Sequence, residues 1–236
     1  MFASKVYFAG LGVAVLSAIS GFVFAAGAGQ VQHLSGTLSV QRSDGSVRIL
    51  SQKSEINAGE VLTTQKDSYA QINFSDGSSM TMRPNTQMKL ESFKFSQDKP
   101  QEDAAFFRLI KGGLRTVTGL VGKRGNQDAY RIGTTTATIG IRVSAGETLD
   151  CTQGCDGVVP GGDKADKAVY HNTLTGSYVM TSEDGTVVIG EGQFALHKKG
   201  QAPAILKDDP GFKLNELPFV IGQNFNKSNA ENCIVK

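Results

Sequence analysis

The sequence predicts an all-β fold, a solenoid-like or curved stack of short strands with a short C-terminal extension. Three observations predict it. Apolar and polar residues alternate with a period of two in one segment after another, as a strand with one buried face requires. Asp-Gly steps recur between such segments, and glycine is abundant, at 28 of 236 residues, while proline is scarce at 6. No comparably long segment carries helical spacing.

The first stretch reads as targeting. Lys5 precedes an apolar run over residues 6–24, and Ala25, Ala26, Gly27 and Ala28 supply the small side chains of a signal-peptidase site. Residues 1–28 are expected to be a signal peptide. The alternative is an uncleaved membrane anchor, because the run approaches the length of a bilayer span. Both readings place the remainder outside the cytoplasm, in the periplasm or secreted.

From residue 30 the alternation sets in. Leu38/Val40, Val47/Ile49, Ala70/Ile72/Phe74, Met80/Met82, Met88/Leu90 and Phe93/Phe95 step by two, as do Ala137/Ile139/Ile141/Val143 and Phe194/Leu196. Asp44-Gly45, Asp76-Gly77 and Asp184-Gly185 separate such runs, each followed by Ser or Thr. Asp-Gly tolerates the positive φ angles of a two-residue type I′ turn, so each step is expected to join adjacent antiparallel strands. The echo among SVQRSDGS, INFSDGS and VMTSEDGT favours a stack of short strands over a sandwich of long ones. Residues 104–110 allow one or two helical turns, which Gly112 and Gly113 would stop. Residues 146–168 lose the alternation and read as a Gly-rich surface excursion. Beyond residue 206 the chain is a tail in which Asp209-Pro210 suits the start of a short helix reaching about residue 217. One domain over residues 30–206 is the expected organisation.

Charge narrows the function. With 24 Lys and Arg against 22 Asp and Glu, the chain lacks the basic excess of a protein that holds nucleic acid by bulk charge. The cations are unevenly placed. Arg108, Lys111, Arg115, Lys123, Arg124, Arg131 and Arg142 meet only Asp128 between residues 105 and 146. If they share a face, they would attract lipid phosphates, an anionic polysaccharide or an acidic protein surface. Strand alternation would instead scatter them.

Other chemistry is weakly signalled. Cys151 and Cys155 suit a small disulfide loop in an oxidising compartment, leaving Cys233 free or paired between chains. A nucleophilic Cys with His171 or His197 as base is the alternative, without the flanking signatures such sites carry. His33, His171 and His197 have no zinc spacing, so no metal is expected. The stretch GLVGKRG at residues 119–125 fails as a phosphate loop because Arg124 stands where Ser or Thr is needed. Glu147, Asp150, Asp156 and Asp163 lack calcium-loop spacing and read as acids that keep a loop soluble. No cofactor is expected.

In order and spacing, GTLSVQRSDG at 36–45, GEVLTT at 59–64, SYAQINFSDGS at 68–78 and MRPNT at 82–86 resemble the FecR domain family of bacterial envelope proteins. LIKGGLRTVT at 109–118, TTATIGIR at 135–142 and VVIGEGQFA at 187–195 extend the resemblance over roughly residues 33–206. The family usually continues Gly-Ile-Arg with Gly-Thr, whereas Val143 and Ser144 follow here, so that local turn is expected to differ. The Cys151/Cys155 pair resembles a subset of secreted members. The resemblance implies an all-β domain, solenoid-like in some relatives, that works by protein contact and not by catalysis. The best-known relatives carry a cytoplasmic sigma-factor-binding arm before the membrane span. With five residues before the apolar run, that arm is expected to be missing here. The expectation is a stand-alone envelope interaction module with an unidentified envelope partner, presenting strand edges and turn loops. A glycan- or anionic-polymer-binding protein is the second reading, and a Cys- or acid-dependent hydrolase the third.

Overall fold

The computed structural model describes residues 27–212, apart from 125 and 127. With 52% strand and 3% helix it is all-β. The strands are β1 (Gly29–Ser35), β2 (Leu38–Gln41), β3 (Val47–Leu50), β4 (Glu55–Ile56), β5 (Val61–Thr64), β6 (Tyr69–Phe74), β7 (Ser79–Met82) and β8 (Gln87–Lys94). They continue with β9 (Ala104–Val117), β10 (Tyr130–Gly133), β11 (Thr138–Asp150), β12 (Val169–Ser182), β13 (Gly185–Gly190), β14 (Phe194–His197) and β15 (Ala204–Leu206). Among the described residues, helix is confined to single 3-10 turns at Pro100–Glu102 and Gly162–Lys164.

One continuous hydrogen-bonded sheet folds over on itself along three long strands. The first halves of β9 and β11 and the second half of β12 belong to an outer layer ordered β3-β2-β5-β8-β9-β10-β11-β12-β13. The remaining halves belong to a second layer ordered β4-β1-β6-β7-β9-β11-β12-β14-β15. Each long strand has a device where it changes layer. β9 passes through Gly112 at φ +91°, β12 through Gly176 at φ +72°, and β11 shifts register between Arg142 and Gly146. Bends and bulges at such corners let a strand serve two sheets. β10 wedges between β9 and β11, parallel to the first and antiparallel to the second. The result is a closed barrel core with extra strands, not a clear solenoid.

This corrects the expected stack of short strands. β9 and β12 are 14 residues long and β11 is 13. Gly112 and Gly113, read as the stop of a helical turn, lie inside β9. The helical turn considered at 104–110 is strand, with Phe107 and Leu109 in the core and Arg108 facing water.

The two layers enclose one core that includes Leu38, Leu62, Ile72, Met80, Leu90, Phe107, Leu114, Ile139 and Met180, all fully buried. A second, smaller core covers the back of the second layer, where Leu149 and Tyr170 meet Cys151, Cys155, Val158, Val159 and Phe212. The excursion is therefore a cover over the sheet. It begins at Cys151 and not at Gly146, because β11 continues through Asp150. Of the short helix expected from residue 209, the described part to 212 is not helical, and the rest lies outside the described residues, as do residues 1–26 and Cys233.

Candidate functional site on the outer sheet face

Register decides which basic residues can act together. In the outer layer Lys89 of β8 lies opposite Arg108 of β9, Phe106 opposite Arg131 of β10, and Arg131 opposite Gly140 of β11. Period-two alternation then puts Arg142 on the same face, two residues past Gly140. This face looks away from the core, and Arg108, Arg131 and Arg142 are exposed on it. The Arg108 and Arg131 guanidiniums lie 5.3 and 5.5 Å from the Phe106 ring centroid. Gly133 makes room for this cluster: a Cβ there would approach Phe106 Cε2 to 3.1 Å. Glu91 is the counter-charge, accepting from Arg108 Nε at 2.7 Å with Lys89 Nζ at 3.7 Å. Hydrogen bonding to Arg108 holds the Glu91 carboxyl below its usual range. Lys89, Arg108, Arg131 and Arg142 thus share the face with Glu91, and two of these four cations, Arg108 and Arg131, lie against the aromatic ring.

Other predicted basic residues lie elsewhere. Arg115 is buried on the second layer, donating to Glu147 Oε2 at 3.3 Å, while Arg83 donates to Oε1 of the same carboxylate. Burial lowers the Arg115 pKa and Glu147 opposes the shift. Arg115 is thus an internal counter-ion, which corrects its place in an anion-binding face. Arg124 donates to Asp103 Oδ2 at 3.1 Å and to the carbonyls of Ser96 and Gln97, over the Phe95 ring. It clamps the 119–124 loop to the loop after β8. Lys123 sits half-buried in that clamped loop.

The three Asp-Gly turns are present, but none is type I′. Among the described residues the only non-glycines with positive φ are Lys53, Asp67 and Asn85. At the first two turns, Gly45 donates to the Arg42 carbonyl and Gly77 to the Phe74 carbonyl, with φ +82° and +81°. That pattern is a type I turn closed by a left-handed glycine bulge, the usual three-residue hairpin loop. The following serine explains itself: Asp44 Oδ1 accepts from the Ser46 amide and hydroxyl, and Asp76 Oδ1 does the same with Ser78. Asp76 does more, because it is buried. Its Oδ2 accepts from Val121 N at 3.2 Å and its carbonyl from Leu120 N at 2.9 Å. At the third turn Ser182 pairs with Gly185, so Glu183 and Asp184 are the loop residues.

That third turn borders a cleft of about 630 Å³ lined by Thr135, Thr136, Thr138, Glu183, Asp184 and His197, among others. Both His197 nitrogens are engaged, Nδ1 with Thr136 Oγ1 at 2.9 Å and Nε2 with Asp184 Oδ2 at 3.4 Å. Cys151 and Cys155 form a disulfide with Cα atoms 4.9 Å apart, so neither is a free nucleophile. His171 is buried against Tyr178, and burial alone lowers its pKa to about 3. Asp150 caps Thr152 and accepts from Thr135 N at 2.7 Å. Glu147 and Asp150 are therefore fully buried structural acids, not solubilising loop residues. No group of three metal-ligating side chains occurs among the described residues.

Residues 60–153 match the family model described as FecR protein. No curated protein matches significantly. Two crystal structures, at 1.65 and 2.50 Å, of a protein from Parabacteroides distasonis described as a "putative anti-sigma factor" align at 9% identity and a TM-score of 0.46. The alignment covers 63% of this chain and spans about three fifths, 60%, of that protein.

Proposed function

We propose, from the match of residues 60–153 to the FecR protein family model, that the chain is a non-enzymatic sensing and interaction module of the cell envelope. Residues 1–28 would direct export, and one domain over residues 30–206 would do the work. The outer sheet face carries the reading. It sets Arg108 and Arg131 against Phe106, with Lys89, Arg142 and the acid Glu91 on the same face of a multi-stranded platform. A half-buried aromatic ring flanked by exposed guanidiniums suits an acidic partner surface that can also cover the ring. Arginine and aromatic residues are the types that dominate binding energy at protein interfaces. The partner is accordingly an envelope protein with an acidic, partly apolar patch.

The test is photo-cross-linking from a benzophenone amino acid at position 106 in intact envelopes. The wild-type face should give one discrete adduct, lost in Arg131→Glu/Arg142→Glu and weakened by added salt, since exposed charge attraction is screened. An adduct indifferent to both changes would sink the reading. Binding of the purified protein to anionic vesicles, abolished by the same substitutions, would redirect it to lipid phosphate.

A further inference from the structure

The outer layer ends in two free edges that differ from the other ends of the sheet. Among the described residues β3 pairs only with β2, and β13 only with β12. Native proteins blunt such edges with short strands, charges, prolines or bulges. The second layer follows that rule: β4 has two residues, and β15 has three and is preceded by Pro203. β3 and β13 do not. Val47 and Ile49 on β3 are 64% and 66% exposed, and Val188 on β13 is 62% exposed. The lone charge within them, Arg48, is turned back to donate to the Glu55 carbonyl at 3.1 Å.

Hydrogen-bond parity adds a second, independent match. Arg42 N donates to the Ser46 carbonyl, so the next pair, Gln41 with Val47, is a non-hydrogen-bonded pair of the ladder. The amide groups of Val47 and Ile49 therefore point away from β2, toward the open edge. At the other end Ser182 and Gly185 close a two-residue loop, which makes Thr181 with Thr186 and Val179 with Val188 the non-bonded pairs. Thr186, Val188 and Gly190 thus direct their amide groups outward too. On both edges the outward-bonding residues are those whose side chains lie on the outer face.

We infer that β3 of one copy adds to β13 of another, antiparallel, extending the outer sheet from molecule to molecule. With Ile49 opposite Thr186, Val47 falls opposite Val188, and every paired residue has an outward amide. Gly190 stays outside the joint because its amide donates to Gln193 Oε1 and its carbonyl accepts from Gln193 N. Parity selects the direction. In an antiparallel ladder two outward-bonding residues sit directly opposite each other with both outer faces on the same side, whereas a parallel ladder would set an outward-bonding residue opposite one that bonds inward. The contact is heterologous, with different surfaces meeting, so each copy keeps one free edge and association continues into an open chain. This inference does not depend on the basic face, which lies in the middle of the layer.

Two half-blocked variants test it. Proline is tolerated where an edge N–H faces outward, yet it removes that donor. Ile49→Pro therefore blocks β3 alone, and Val188→Pro blocks β13 alone. In sedimentation velocity the purified full-length wild type should form species that grow with concentration, and each variant should be monomeric. An equimolar mixture should give a one-to-one dimer, because one partner supplies an intact β13 and the other an intact β3. Circular dichroism checks that each variant stays folded; should a proline variant unfold, Ile49→Lys or Val188→Lys replaces it. A monomeric wild type overturns the inference. So does a Val188→Pro protein that still dimerises by itself, which would mean β3 pairs with β3. Association that survives in both variants, as through the N-terminal apolar run, overturns it equally.

Discussion

Glu147 and Arg115 face each other across β11 and β9, their carboxylate and guanidinium 3.3 Å apart and both sealed from water. Arg83 shares the same carboxylate, so one buried anion neutralises two buried cations. Removing the anion takes that carboxylate from both buried guanidiniums. Glu147→Ala should cost about 3–5 kcal/mol, the scale for breaking a buried ion pair from one side. Arg115→Met should cost clearly less, because Glu147 keeps Arg83 and the methionine fills the space. Urea unfolding of the two variants checks the ranking, and equal losses would contradict a shared carboxylate.

The two turns that look alike in sequence should behave differently under mutation. Asp44 is exposed and binds only its own Ser46, whereas Asp76 is buried and also holds Val121 of a distant loop. Asp76→Ala should lose about 1–3 kcal/mol, the penalty for stripping a buried acceptor from its donors. Asp44→Ala should leave the melting temperature nearly unchanged. Gly45 and Gly77 share a φ near +80° with open space where a side chain would stand. Gly77→Val should therefore cost about 1–3 kcal/mol through backbone strain alone. Gly77→Asn, a residue that tolerates this conformation, should cost much less. An unaltered melting temperature for Gly77→Val would refute the left-handed assignment.

Why the sequence showed some of this and hid the rest follows from burial. The outer layer has one wet face, so Ile139/Ile141 and Met88/Leu90 alternate visibly and were legible as strands. The second halves of β9 and β11 are buried on both faces from Gly112 to Thr116 and from Gly146 to Asp150. A strand covered on both sides need not alternate, and its small and charged residues resemble a loop. Glu147 and Asp150 were misread for that reason. Glycine misleads in the same way: Gly112, read as the stop of a helical turn, instead bends a strand that continues through it. On the basic face, Arg131 and Arg142 were visible from charge alone. Separating them from Arg115 required the register, which places Arg115 opposite Glu147 on the other layer.

His171 makes the fold sensitive to acid. Its ring is buried against Tyr178, Nδ1 meets Thr148 Oγ1 at 3.0 Å, and Nε2 has no hydrogen-bond partner. Burial lowers its pKa from 6.5 to about 3 in the folded state. Between these values the unfolded chain binds a proton that the folded chain does not. Stability from this group is therefore complete above about pH 6.5 and falls as pH drops toward 3, by about 1.4 kcal/mol per pH unit. Urea midpoints between pH 6.5 and 4.5 should show the slope, and His171→Gln should flatten it. Parallel slopes for the two proteins would remove His171 as the cause.

The Cys151–Cys155 bridge closes only a short loop, so its effect on the unfolded chain is small, about 2 kcal/mol. Its sulfurs nevertheless lie inside the second core beside Val158, Tyr170 and Phe212. Gly162 packs so closely here that a Cβ would collide with the Cys155 carbonyl. Replacing both cysteines by alanine should therefore loosen the cover locally and leave the barrel core intact. Hydrogen exchange should quicken at Val158 and Val159 while Ile139 and Met180 stay protected, since stability is not uniform across a structure. Uniformly faster exchange in both cores would show that the cover and barrel unfold as one unit. The excursion would then be part of what holds β9, β11 and β12 together, not a lid laid over them.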